Sequence, residues 1–149
     1  MRTGIRLILC TGMLWTASLP AQTDDVVVAR ERWRAADAST YEYGYHKYCE
    51  CHGDTPPETL VTVVAGTVTN VRHRPANSDR IVSAAERNFQ YYWTIDGLFD
   101  LIESAVARDA TVRARFDPVL GYPTSVFIDY VQNTIGDEVD VRITQLRLL

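Results

Sequence analysis

Cys49 and Cys51 stand one residue apart, flanked by His46 and His52. Two thiols and two imidazoles this close could form a disulfide, a redox couple or a metal site. An even cysteine pair in an exported chain points first to a disulfide. Along a strand, residues two apart share a face but sit ~6.6 Å apart, whereas a disulfide wants its Cβ atoms at about 3.8 Å. The chain must therefore leave the strand conformation at Glu50, and His52-Gly53-Asp54 can complete the turn. So small a ring should stabilise by less than the ~3 kcal/mol of a fifteen-residue loop. Two alternatives stand beside this clip. A redox pair would lack the helix dipole that lowers a thiol pKa in C-x-x-C sites. His46, Cys49, Cys51 and His52 are enough ligands for Zn or Cu, although their spacing matches no standard finger and an oxidising compartment would consume the thiols. The disulfide Cys49–Cys51 is the preferred reading, with no resident metal or other cofactor.

Other reactive groups carry less. His73 lies between Arg72 and Arg74 on an expected strand and reads as a surface residue. No Gly-x-Ser-x-Gly elbow surrounds Ser83 or Ser104, and no Gly-rich phosphate loop occurs. Asp129 and Asp137 could converge as paired acids. Asp137, Glu138 and Asp140 form an acidic turn, without the spacing of a calcium loop. No catalytic residue is assigned, and the balance leans away from an enzyme.

The segment that precedes this chemistry sets its compartment. Arg2 and Arg6 give a positive start, and no charge follows until Asp24. An apolar run through Leu7, Ile8, Leu9 and Leu14 leads to Ala17, Ser18, Pro20 and Ala21, the composition of a signal peptide cut after Ala21. The run falls short of the ~20 apolar residues of a spanning helix, so no transmembrane helix is expected after processing. Cys10 lies inside the apolar run behind Leu7-Ile8-Leu9, which lacks the small residues of a lipoprotein site. Residues 1–21 are thus read as a signal peptide and 22–149 as one α+β domain, exported to the periplasm or the exterior.

Removing residues 1–21 leaves about 128 residues, one ordinary domain. Two of the 15 basic residues go with the leader, so against 19 acidic residues the mature net charge is about −6. An acidic chain with no basic stripe is a poor partner for nucleic acid. Arg30, Arg32 and Arg34 alternate with Glu31 on an expected helix and read as a solvated face. The expected partner is an unknown protein or envelope component.

Periodicity supplies the elements. Asp24 and Asp25 suit a helix start, with Val26, Ala29, Trp33 and Ala36 at helical spacing. Tyr41, Tyr43 and Tyr45 share one face of a strand. They are good strand residues to pack under a helix, or, with Tyr48, a Tyr-rich sheet edge for docking. Strands near Leu60–Ala65 and Thr67–His73 meet at Ala65-Gly66, a hairpin composition. Ile81 to Phe89 has room for a helical turn or two. Thr94 caps a helix whose stripe is Ile95, Leu98, Leu101, Ile102, Ala105 and Val106. Three strands follow: Val112, Ala114 and Phe116 alternate with Arg113 and Arg115; Val126 and Ile128 oppose Phe127; Val139, Val141 and Ile143 alternate with Asp140, Arg142 and Thr144. The order α-β-β-β-α-β-β-β, two weak copies of one unit, predicts two helices on one face of an antiparallel sheet of about six strands, the α+β layer solution.

These landmarks also carry a resemblance. Trp33, Tyr41-x-Tyr43, Cys49-x-Cys51, Val61 to Val68 with Gly66, and Thr94-Ile95 before Leu98-Phe99 form its first half. Gly121-Tyr122-Pro123, Asp129, Gly136-Asp137-Glu138 and Ile143 form its second. With them the chain resembles a family of small exported bacterial proteins of unknown function. The resemblance implies a secreted or envelope α+β domain and supplies no catalytic residues. Many such relatives look like lipoproteins; this chain departs from them at Cys10.

Overall fold

The computed structural model describes residues 21–48, 59–75, 78–132, 134 and 136–149. Cys49, Cys51 and His52 lie outside the described residues, and with them the disulfide, redox and metal readings.

The elements run α1 (Ala21–Ala35), β1 (Thr40–Tyr48), β2 (Thr59–Val64), β3 (Thr67–His73), β4 (Val82–Ser83), a 3-10 helix (Glu86–Tyr91), α2 (Ile95–Val106), β5 (Thr111–Phe116), β6 (Pro123–Asp129) and β7 (Val139–Leu148). The strands form one sheet of 7 in the order β4-β3-β2-β1-β7-β6-β5, with every neighbouring pair antiparallel. The expected sheet of about six strands gains β4, whose two residues pair with the end of β3. The segment expected to make only helical turns therefore starts as a strand and then winds into the 3-10 helix. The apparent repeat stops at the order of elements: β1 lies in the middle of the sheet, and its counterpart β5 forms an edge and runs the opposite way.

Both helices cover one face of the sheet. Val26, Ala29 and Trp33 of α1 join Ile95, Leu98, Phe99, Ile102 and Ala105 of α2 in one core with alternate residues of β1, β2, β3, β6 and β7. Phe99, rather than the expected Leu101, completes the α2 stripe, because its ring stacks on Phe116 of β5 at 5.9 Å. Thr94 caps α2 as its type and position predict, accepting the Gly97 N–H at 3.0 Å. The β2–β3 turn has positive φ at both central residues, Ala65 (49°) and Gly66 (73°), the type I′ geometry that follows the strand twist.

Arg30 departs from the solvated face expected of the α1 arginines. Its side chain is 14% exposed and pairs with Asp100 and Glu103 of α2, each at 2.6 Å. At the β5–β6 connection, Asp117 Oδ1 accepts the Val119 and Leu120 N–H groups at 2.9 and 2.7 Å. The loop then brings Gly121, at φ +81°, against α1, where a Cβ would collide with the Ala29 carbonyl oxygen. Tyr122 packs edge-on to Trp33 at 6.5 Å, so Gly121-Tyr122-Pro123 is the seam between α1 and the second half of the sheet.

Two glycine substitutions separate backbone strain from crowding. Gly66→Ala, at positive φ with nothing within 4 Å, should cost about 1 kcal/mol. Gly121→Ala adds the collision with α1 and should cost about 3 kcal/mol, read as a lower urea midpoint.

Candidate functional site

The two faces of the sheet have opposite chemistry, and the period of two along each strand creates the difference. Tyr41, Tyr43 and Tyr45 turn inward and are buried. Their rings form a chain, Trp33 to Tyr41 at 5.2 Å, Tyr41 to Tyr43 at 6.0 Å, Tyr43 to Tyr45 at 6.3 Å and Tyr45 to Tyr92 at 5.4 Å. The Tyr41 hydroxyl accepts the Ile95 N–H at 2.9 Å, and the Tyr43 hydroxyl donates to the Trp93 carbonyl. A Tyr-rich docking edge is therefore corrected: β1 is an interior strand, and of its four tyrosines only Tyr48 is exposed.

Among the described residues, no helix covers the other face of the sheet. On its first half, Glu42 is enclosed by cations and a hydroxyl. Arg72 of β3 donates to it at 2.6 Å, Arg147 of β7 at 3.1 Å and Thr62 of β2 at 3.2 Å. The two arginines there share one carboxylate within the protein.

The second half is different. Register places two rows across β5, β6, β7 and β1. One row is Arg115, Ser125, Arg142 and His46; the next is Arg113, Phe127, Asp140 and Tyr48. Arg113 lies over the Phe127 ring at 4.4 Å, and Arg142 over the Tyr48 ring at 5.1 Å. Such stacking restrains a guanidinium while leaving its N–H groups free to donate. Among the described residues, no carboxylate lies within ion-pair distance of Arg113, Arg115 or Arg142. These three arginines, with Thr124, Ser125, Phe127 and Asp140, line a depression of about 670 Å³, inside the roughly 300–1,000 Å³ range of small-ligand sites. A second depression, at Leu60, Arg72, His73, Arg74, Ile81 and Gln145, holds about 170 Å³ and falls below that range.

The absence of a basic stripe thus holds along the sequence and fails in the fold. Arg113 and Arg115 alternate with core residues on β5, and Arg142 does the same on β7, so neither strand alone shows a cluster. Only the pairing of both strands with β6 brings the three together.

The other singled-out residues are dispersed. His46 stands on the open face with its ring 4.3 Å from that of Tyr48. His73 is half-buried rather than freely exposed, and its Nδ1 has no partner among the described residues. Asp137 accepts the Val131 N–H at 2.6 Å, and Glu138 accepts the Gly136 N–H at 2.9 Å, so both acids close the β6–β7 connection. Asp129 ends β6 with Oδ1 enclosed and unpartnered among the described residues. Ser83 lies on edge strand β4 and Ser104 on α2, both exposed. Among the described residues, no three His, Cys, Asp or Glu side chains are grouped to hold a metal, and no helix is long and apolar enough to cross a membrane.

A single helical layer on an antiparallel sheet, with the opposite face open and locally cationic, defines an α+β domain. The chain belongs to DUF6174, a family of unknown function, whose model matches residues 25–148. No curated protein and no solved structure matches it.

The tyrosine ladder has a consequence for pH. Burial pushes the Tyr41 phenol up to about 12 and raises Tyr43 and Tyr45 as well. Unfolded tyrosines titrate near ~10, so the folded state holds these protons more tightly. Their stabilising contribution is whole below pH ~10 and is lost as pH rises through the folded values. Ionisation of these three buried tyrosines and loss of circular dichroism should therefore occur together in one cooperative alkaline transition. At neutral pH, Tyr41→Phe should cost about 1–3 kcal/mol, because it strands the buried Ile95 N–H.

Proposed function

We propose that this chain is an exported, non-enzymatic binding domain that engages an envelope or secreted partner through the open face of its sheet. The leader-like composition of residues 1–21 supports export. The observation that carries the binding reading is the trio Arg113, Arg115 and Arg142, which lacks acidic partners among the described residues, whereas Arg72 and Arg147 on the same face both pair with Glu42. Charges left uncompensated on a ligand-sized depression suit recognition better than stability, since exposed ion pairs contribute little to folding. In this reading Cys49 and Cys51 form a local structural disulfide. The alternative makes these cysteines, with His46 and His52, a thiol redox or metal-handling centre.

Two measurements test the proposal. The first is the intact mass of protein recovered from an exporting host. Loss of residues 1–21, with a mass two hydrogens low that reductant restores, is expected; free thiols or bound metal would favour the thiol alternative. The second places a photo-crosslinking residue at Ser125, on the open face, or at Ser104, on the helical layer, in producing cells. Crosslinks are expected from position 125 alone. Equal yields from both positions, or none from 125, would refute the open-face reading.

A further inference from the structure

We infer that the Arg115–Ser125–Arg142 row is a binding site for the carboxylate groups of an acidic carbohydrate, a uronate-type oligosaccharide. The inference rests on the open-face reading above and gives that face a ligand class.

The row is built like a clamp. Neighbouring strands lie ~4.8 Å apart, so the backbones bearing Arg115 and Arg142 are roughly 10 Å apart with β6 between them. The residue between the two arginines is Ser125, whose small side chain leaves a gap that a larger residue would fill. Arg115 and Arg142 stand on the strands to either side of this gap and both line the depression, and guanidinium forks suit planar carboxylates. Arg142 is braced on Tyr48 and Arg113 on Phe127, so part of the ordering cost is met before a ligand arrives.

Three features narrow the ligand. First, the lining mixes three guanidinium groups with the hydroxyls of Thr124 and Ser125 and the carboxylate of Asp140. A ligand with both carboxylates and hydroxyls can satisfy all of them: its acids face the arginines, and its hydroxyls donate to Asp140. Second, a sheet face offers side chains and no free backbone groups. An extended peptide lying across the face finds no main-chain partners there and could pair only along the β5 edge, whereas a sugar carries its polar groups on its rim. Third, the positive charge is local. The whole chain has a formal net charge of −4, so a long polyanion such as nucleic acid would meet like charge beyond the depression.

The test is a titration of the mature chain, read by calorimetry and amide chemical shifts, with four probes: galacturonate trimer, the neutral galactose trimer, hexaglutamate and inorganic phosphate. The galacturonate trimer should bind, with shifts concentrated on β5, β6 and β7. The neutral trimer and phosphate alone should bind at least about tenfold more weakly, and the galacturonate affinity should fall with salt. Arg115→Gln and Arg142→Gln should each weaken it about tenfold or more. Ser125→Leu should abolish it with both arginines in place. Because Arg115 and Arg142 are exposed, their variants should melt close to the parent. Galacturonate bound no tighter than its neutral counterpart, or equally by the arginine variants, would overturn the inference. Hexaglutamate bound tighter, with the same arginine dependence, would overturn the carbohydrate class and leave the open face a binding surface. No binding by any probe, together with no crosslinks from position 125, would remove both.

Discussion

The N-terminus of α2 is fixed by the β1 tyrosines, and much of the molecule follows from that contact. A buried phenol needs a partner for its hydroxyl, and the first turn of a helix has N–H groups without intrahelical acceptors. Tyr41 and the Ile95 N–H meet both requirements at once. Tyr43, bonded to the Trp93 carbonyl, holds the residue that precedes the Thr94 cap. The helix is thereby pinned above the central strand on one side of the sheet. Because alternate residues point opposite ways, pinning Tyr41, Tyr43 and Tyr45 inward commits Glu42 and His46 to the other side. The ladder that builds the core thus also determines which side chains reach the open face.

The seam between β1 and β7 then divides that face. Gly44 lies so close to Thr144 that a Cβ would collide with its side chain, and the register shifts between Glu42 and Gly44. Gln145 absorbs the shift at φ 53°, a conformation that costs a non-glycine residue of order 1–3 kcal/mol. Beyond the bulge Arg147 lies opposite Glu42 and, with Arg72, neutralises it. On the other side Arg142 lies opposite His46 and stacks on Tyr48 instead of pairing with an acid. One bulge therefore separates arginines that share a carboxylate from arginines that, among the described residues, pair with none.

Local features of this fold were legible because local physics decides them. Thr94 at a cap, the Ala65-Gly66 turn, the helical layer and the alternation on β5, β6 and β7 follow from residue type and spacing. The strand order was not legible, because it rests on contacts such as Glu42 with Arg147, 105 residues apart. That single missing pairing explains the misplaced Tyr-rich edge, since a strand between β2 and β7 has no free edge. It also hid part of the candidate site: His46 and Tyr48 join the arginine rows only through β7. The two-residue β4 is too short to carry a period, and the inward turn of Arg30 depends on Asp100 and Glu103 of a helix far along the chain. Cys49 and Cys51, the most conspicuous residues of the sequence, lie outside what the structure describes, so the site defined by geometry is one the cysteines did not announce.

A protective role for the arginines accounts for only part of the pattern. Exposed edge strands invite pairing with other chains, and charged side chains placed on them discourage it. β5 is such an edge, and Arg113 and Arg115 fit that purpose. Arg142 does not, because β7 is paired on both sides, with β1 and with β6. A guanidinium on an interior strand guards no edge. Nor does it contribute an ion pair among the described residues, and its stacking on Tyr48 could be supplied by an uncharged side chain. What its charge adds is a second cation across Ser125 from Arg115, which is the arrangement that the proposed anion site requires.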